Sequence, residues 1–101
     1  MTLREKQSKF VVMLALLIRR ANALGYELTL GCGRCQLPGH HMKNSLHYSG
    51  LAQDLNLFKD GVWLKDGTGH DVLHDYWEAL GGAKMIPGDA NHYSLEHEGR
   101  R

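Results

Sequence analysis

Polar and hydrophobic residues alternate with two different periods along this chain, and the periods separate predicted helices from predicted strands. Good helix formers fill residues 3–24, between a capping-box pattern at Thr2 and Glu5 and the helix-stopping Gly25, so we predict a long first helix. Its apolar residues are too many for a narrow stripe, which predicts a central core helix. A second, shorter amphipathic helix is predicted over residues 71–80.

Strands are predicted mainly from a two-residue alternation of apolar and polar residues. Asp54 lies on the more polar face of the second predicted strand, and a Lys59-Asp60-Gly61 turn signal joins that strand to the third in a hairpin. The combination predicts an α+β fold, with a small antiparallel sheet of about four strands packed on the long N-terminal helix, and a second short helix. The predicted strands are residues 26–30, 51–58, 62–64 and 92–96.

Length and charge narrow the classes of function. A chain of 101 residues buries one modest core, which predicts a single domain over residues 1–101. Lys and Arg number 12 against 11 for Asp and Glu, so the net charge of +1 gives no reason to expect nucleic-acid binding. The apolar run 10–18 is much shorter than the roughly 20 residues that span a bilayer, so no stable membrane insertion is expected. Arg19 and Arg20 after that run do not fit a secretory signal peptide.

Two polar segments carry residues from which a metal site can be built. His47 and Asp54 lie around the start of the second predicted strand, and Asp89 and His92 lie around the start of the last. A catalytic zinc takes three protein ligands, commonly imidazoles and a carboxylate, and keeps one position open for water or substrate. We therefore predict His47, Asp54 and His92 as metal ligands on the sheet face away from the long helix. Asp89, three residues before a ligand, is the predicted general base.

The spacing of these residues also resembles a known family. Residues 45–54 have the pattern Ser-x-His-x-x-Gly-x-Ala-x-Asp, and residues 89–93 have an acid, two further residues, a histidine and an aromatic. Both patterns resemble motifs of the zinc peptidases that cleave peptidoglycan, which include D-alanyl-D-alanine carboxypeptidases, dipeptidases and the L-alanyl-D-glutamate endopeptidases of phage endolysins. Five specified positions at fixed spacing make the first match specific.

The resemblance implies one Zn²⁺ per chain, held by His47, Asp54 and His92, with Asp89 as catalytic base. Arg34, shortly after the first predicted strand, corresponds to the family's arginine that holds substrate or its developing oxyanion. The implied function is hydrolysis of a peptide bond in peptidoglycan stem peptides, between L-alanine and D-glutamate, by a monomeric enzyme similar to phage or prophage endolysins. Such an enzyme is made in the bacterial cytoplasm without a signal peptide and acts on the cell wall.

The remaining cysteines and histidines leave alternatives open. Cys32-x-x-Cys35 is compatible with half of a zinc knuckle completed by His40 and His41, with a redox pair, or with ordinary thiols; we favour ordinary thiols or a secondary structural metal site. The runner-up function is therefore a non-catalytic, metal-stabilised binding module of the same fold. A nucleic-acid-binding zinc knuckle is disfavoured because the chain lacks a basic stripe.

Three other residues have plain structural interpretations. His70 and His74 lie four positions apart on the second predicted helix, and we expect them on its solvated face. Asp89 follows Pro87 and Gly88, so a simple turn residue is the alternative to a general base.

Overall fold

The structure is a computed structural model, and it describes residues 1–35, 41 and 45–101. The described residues form two helices and a four-stranded antiparallel sheet, so the predicted α+β architecture is confirmed. The elements are α1 (Leu3–Ala23), β1 (Glu27–Leu30), β2 (Ala52–Lys59), β3 (Val62–Trp63), α2 (His70–Ala79) and β4 (His92–Ser94).

The first helix begins where the capping pattern predicts. The Thr2 hydroxyl accepts a hydrogen bond from the Glu5 amide at 3.2 Å, and the Glu5 carboxylate accepts one from the Thr2 amide at 2.9 Å. The prediction of a central core helix is wrong, because Val11 and Val12 are 62% and 61% exposed. The helix instead buries a single stripe at helical spacing, which consists of Phe10, Met13, Leu17 and Ala21.

The sheet is organised around β2, its longest strand. β1 pairs with the C-terminal half of β2 on one edge, while β3 and β4 pair with its two ends on the other edge. Leu55 and Leu57 point into the core shared with α1, so the alternation of a strand turns Asp54 to the opposite face. In the pairing of β2 with β4, Asp54 lies directly opposite His92.

The predicted hairpin between β2 and β3 is confirmed. Asp60 and Gly61 form its turn with φ angles of 52° and 78°. Two successive positive φ angles are typical of the tight turns whose twist matches that of the flanking strands. The hairpin closes one edge of β2 and leaves the other end of that edge to β4.

The second helix is fixed between α1 and β4 by a tryptophan. The Trp77 ring packs edge-on against Phe10, with ring centroids 5.7 Å apart, and its indole N–H donates to the Ser94 carbonyl at 2.8 Å. Gly82 lies so close to the same indole that a Cβ atom there would overlap the ring. The core therefore positions β4, the strand that begins with His92. Neither helix in the described part of the chain is long and apolar enough to cross a membrane.

Candidate metal centre

Three separate segments bring His47, Asp54 and His92 together. Asp54 and His92 face each other across the β2–β4 pairing, and His47 lies in the turn 46–50 that leads into β2. This turn is closed by backbone hydrogen bonds, and Gly50 adopts a positive φ of 66°, which favours glycine at this motif position. Gln7 of α1 donates to the Ser49 carbonyl at 2.8 Å, so the first helix also holds the turn.

The ligand atoms of these residues have the spacing of a tetrahedral site. His47 Nε2 lies 3.2 Å from His92 Nδ1, and Asp54 Oδ1 lies 3.3 Å and 3.4 Å from those nitrogens. A tetrahedral zinc with nitrogen and oxygen ligands at about 2.0–2.1 Å places those atoms about 3.3–3.4 Å apart. The triangle therefore matches one face of such a site, and these three residues do not fill its fourth corner.

The chemistry of the donor set also fits a cation. Asp54 Oδ1 is buried and has no well-aligned hydrogen bond from the described residues, although two imidazole nitrogens lie near it. His47 Nδ1 lies 2.9 Å from the Gly33 carbonyl, which can only accept, so the proton is on Nδ1 and the Nε2 lone pair points to the centre. No described residue hydrogen-bonds to His92 Nε2, and this ring is oriented by strand pairing and burial.

Electrostatics keeps the carboxylate ready to bind a cation at neutral pH. Burial alone raises the pKa of Asp54, but the imidazoles of His47 and His92 outweigh it and hold the pKa at about 2. Burial lowers the pKa of His47, yet the Asp54 carboxylate and the Gly33 carbonyl more than compensate and raise it. Without an ion, the site therefore holds an ionised carboxylate between two imidazoles.

Asp89 lies at the rim of this centre. Its Oδ2 is 3.9 Å from His92 Nδ1, and its side chain is 50% exposed. The Asp89 carbonyl accepts a hydrogen bond from the His92 amide at 3.1 Å, so a short turn ties the two residues together. A solvent-accessible carboxylate in this position is able to exchange protons with a molecule at the fourth corner.

Arg34 is exposed and lies in the loop that touches His47 from two sides. Gly33 before it accepts the His47 imidazole N–H, and Cys35 after it donates its amide to the His47 carbonyl at 3.0 Å. The Arg34 side chain passes over Gly50, since a Cβ atom there would lie 3.5 Å from Arg34 Cδ. Arg34 thus lies next to the turn that carries His47.

The structure corrects the expectation that His70 and His74 lie on a solvated helix face. Both are buried, at 2% and 3% exposure. His70 Nδ1 lies 2.6 Å from the Tyr93 hydroxyl, while His74 stacks on the Tyr93 ring at 4.2 Å and donates from Nε2 to the Ala90 carbonyl at 2.7 Å. The two histidines thus support the segment that carries Asp89 and His92.

A sequence signal for this role exists. The buried positions of α2 are His70, Leu73, His74 and Trp77, which is the i, i+3, i+4, i+7 stripe of an amphipathic helix with both histidines on its apolar side. Burial, with a contribution from His74, lowers the pKa of His70 to about 4, and burial also lowers the pKa of His74. Both rings are therefore neutral at pH 7, as a packed interior requires.

The candidate centre thus combines three residues spaced as one face of a tetrahedral site, a carboxylate at its rim and an exposed arginine nearby. Comparison of the chain with protein-family models and with curated proteins gives no match.

Proposed function

We propose that the chain is a zinc metallopeptidase that hydrolyses a peptide bond in peptidoglycan stem peptides. The observation that carries the proposal is the meeting of two sequence motifs in one site. His47 and Asp54 belong to the first motif and His92 to the second, and their ligand atoms lie within 4.8 Å of one another. That donor set is typical of catalytic zinc, which needs a fourth position for water or substrate.

The chain's own residues have distinct parts in this proposal. His47, Asp54 and His92 hold the ion, and the Gly33 carbonyl keeps His47 in the tautomer that presents Nε2. When bound, zinc supplies a Lewis acid that polarises the scissile carbonyl and lowers the pKa of water.

Proton transfer is assigned to Asp89. Its carboxylate takes a proton from the attacking water and delivers it to the amine that leaves, so that one carboxylate serves as base and then as acid. The half-exposed position of Asp89, 3.9 Å from His92, supports this role. Arg34 is assigned to the substrate side, where its guanidinium stabilises negative charge on the carbonyl oxygen during attack.

The substrate class rests on the resemblance of residues 45–54 and 89–93 to peptidoglycan peptidases. The proposed bond is that between L-alanine and D-glutamate, and the proposed setting is wall degradation by a phage or prophage endolysin. Hydrolysis adds the water oxygen to the alanine carbonyl carbon and leaves a free amine on D-glutamate.

Mass spectrometry of muropeptides tests activity and bond choice together. Zinc-loaded protein incubated with purified peptidoglycan should release fragments with a new amine on D-glutamate. A chelator should stop the release, and added zinc should restore it. Asp75→Asn changes an exposed carboxylate of α2 that lies outside the proposed site, so this variant should remain fully active. It is the matched control for Asp89→Asn. Zinc-loaded wild-type protein that cleaves no stem peptide would refute the proposal.

One observation favours a second candidate, a metal-stabilised binding module without turnover. In a separate cluster, ligand atoms of Cys32, Cys35 and His41 lie within 4.8 Å of one another, close enough for a metal ion to draw them together. A module of this kind would sediment with peptidoglycan and release no fragments. Its distinguishing result is loss of folding and zinc in Cys32→Ser, while His47→Ala stays folded and loaded.

A further inference from the structure

A second cluster of metal-binding side chains lies beside the candidate centre. The sulfur atoms of Cys32 and Cys35 and a ring nitrogen of His41 all lie within 4.8 Å of one another. Cys32 Sγ is 2.8 Å from His41 Nε2. Cys35 is buried, and the other two side chains are half-buried. None of the three has a part in the proposed hydrolysis.

The position of His41 is fixed by a neighbour of His47. The Tyr48 hydroxyl accepts a hydrogen bond from the His41 amide at 2.7 Å and donates one to the His41 carbonyl at 3.1 Å. The His41 ring also stacks on the His47 ring, with centroids 4.1 Å apart and planes 9° from parallel. The turn 46–50 therefore presents His47 to one cluster and anchors His41 in the other.

Backbone hydrogen bonds join the cysteines to the ligands of the candidate centre. The Asp54 amide donates to the Cys32 carbonyl at 2.7 Å, and the Cys35 amide donates to the His47 carbonyl at 3.0 Å. Gly33, between the two cysteines, accepts the His47 imidazole N–H. Anything that fixes the two cysteines consequently fixes the carbonyl that orients His47.

We propose that Cys32, Cys35 and His41 bind a second, structural Zn²⁺ that holds the loop 31–35 against the candidate centre. Thiolates and imidazole are the ligands that structural zinc prefers. On binding, each thiol gives up a proton to solvent, and His41 coordinates through its neutral ring. The described residues supply three ligands; His40, the other histidine of the zinc-knuckle interpretation, lies outside them.

The geometry favours an ion over a disulfide. A Cys32–Cys35 disulfide would involve only the two cysteines and would not explain why His41 lies so close to Cys32. A single ion explains why all three side chains lie together. Neither cysteine forms a disulfide in the described part of the chain. The location also favours a structural role, since Cys35 is buried and the other two side chains are half-buried.

Cobalt substitution separates the two clusters. Thiolate ligands give Co²⁺ an intense near-ultraviolet charge-transfer absorption, which nitrogen and oxygen ligands do not give. Metal-free full-length protein titrated with Co²⁺ should show this absorption and bind about two ions per chain. His47→Ala should keep the absorption and bind about one ion, because only the candidate centre is lost.

The matched double variant Cys32→Ser/Cys35→Ser should lose the absorption and bind about one ion. Its remaining site should bind zinc about 10- to 100-fold more weakly, the usual effect of disturbing groups that orient a ligand. In the wild-type protein, bound zinc should protect both thiols from alkylation until a chelator is added. Three results would each overturn the proposal: no charge-transfer absorption in the wild-type protein, equal alkylation with and without zinc, or a disulfide in the purified protein. All three are measured on the wild-type protein, so they do not depend on the folding of a variant.

Discussion

The candidate centre is supported from two sides, and the two supports are built differently. On one side the loop 31–35 touches His47 and Asp54 through hydrogen bonds of single backbone groups. Gly31 and Arg34 in this loop are exposed, and Cys35 is its only buried side chain. Apolar burial therefore contributes little to holding this loop in place.

On the other side, α2 supports the Asp89–His92 segment from within the core. Trp77, Leu73 and Tyr93 are fully buried there, and the histidines bond to Tyr93 and Ala90 between them. Burying side chains of this size contributes about 1.5–3 kcal/mol each. This half of the centre is thus determined by the same packing that determines the fold.

The difference predicts that the two halves depend to different degrees on the proposed ions. The helix side is formed by the folded core whether or not an ion is bound. The loop side has few apolar contacts, so we expect the proposed ions to supply much of its order, as in small metal-stabilised segments. Variants that lack a metal ligand, the proton-transferring residue or a supporting residue therefore test this difference between the loop side and the helix side.

The largest effect is expected where the two supports meet, at Asp54. Asp54→Ala removes the carboxylate ligand of a residue whose backbone hydrogen-bonds to the loop 31–35 and which lies opposite His92 of β4. We expect peptidoglycan hydrolysis to fall by more than about 10⁴-fold, beyond what one proton-transferring group contributes. Zinc analysis should show the loss of one ion. Retention of both zinc and activity would remove Asp54 from the site.

Asp89→Asn should separate metal binding from proton transfer. The amide keeps the size of the side chain at the rim but cannot accept a proton, so we expect kcat to fall by about 10²–10⁴-fold. Zinc content and the unfolding midpoint should match those of the wild-type protein, since Asp89 is half-exposed. Unchanged kcat would favour the interpretation of Asp89 as a plain turn residue.

Local sequence patterns predicted the elements of the fold well. The Thr2 and Glu5 capping pair, the turn at residues 59–61 and the alternation in β2 each involve neighbours along the chain, and each appears in the structure. The depth of α1 was not predictable in the same way. The burial of Val11 and Val12 depends on whether other elements of the tertiary structure pack against that face of α1, and both residues are exposed.

For the candidate site, spacing predicted the residues but not their surroundings. The two motifs predicted His47, Asp54 and His92 as ligands, and these residues lie together in the structure. The apolar stripe of α2 indicates that His74 is buried, but its contacts with Tyr93 and Ala90 depend on tertiary packing, which no local pattern specifies. The stacking of His41 on His47 likewise depends on a loop path that follows from the tertiary fold.

Removing each support from the metal-free protein should sharpen the contrast. His74→Ala leaves a space beside Tyr93 and an unpaired Ala90 carbonyl, so we expect a loss of about 2–4 kcal/mol in the free energy of unfolding. Cys32→Ser/Cys35→Ser should lower the free energy of unfolding by only about 1 kcal/mol, because Cys35 is the only buried side chain that it changes in the loop 31–35. Urea denaturation in the presence of a chelator measures both. Equal losses in the two variants would contradict this difference between the loop side and the helix side.

The smallest effect is a pH dependence carried by His70, which faces Tyr93 and His74 and lies next to Asp71. Its pKa is about 4 in the folded chain and near 6.5 when unfolded, so the unfolded state binds the extra proton between these values. The contribution of neutral His70 to the free energy of unfolding is complete above pH 6.5 and is lost as the pH falls toward 4. About 2 kcal/mol is lost by pH 5.

His47 acts in the opposite direction, because its raised pKa favours the folded state as the pH falls. The measurement is therefore the difference in unfolding free energy between wild-type protein and His70→Gln, both without metal, at pH 7 and at pH 5. Glutamine does not titrate, and His47 is common to both proteins, so its contribution cancels. We expect the wild-type advantage to shrink by about 2 kcal/mol at the lower pH. If the difference in unfolding free energy is the same at both pH values, His70 is not buried as a neutral ring. That result would contradict the conclusion that core packing alone forms the helix side.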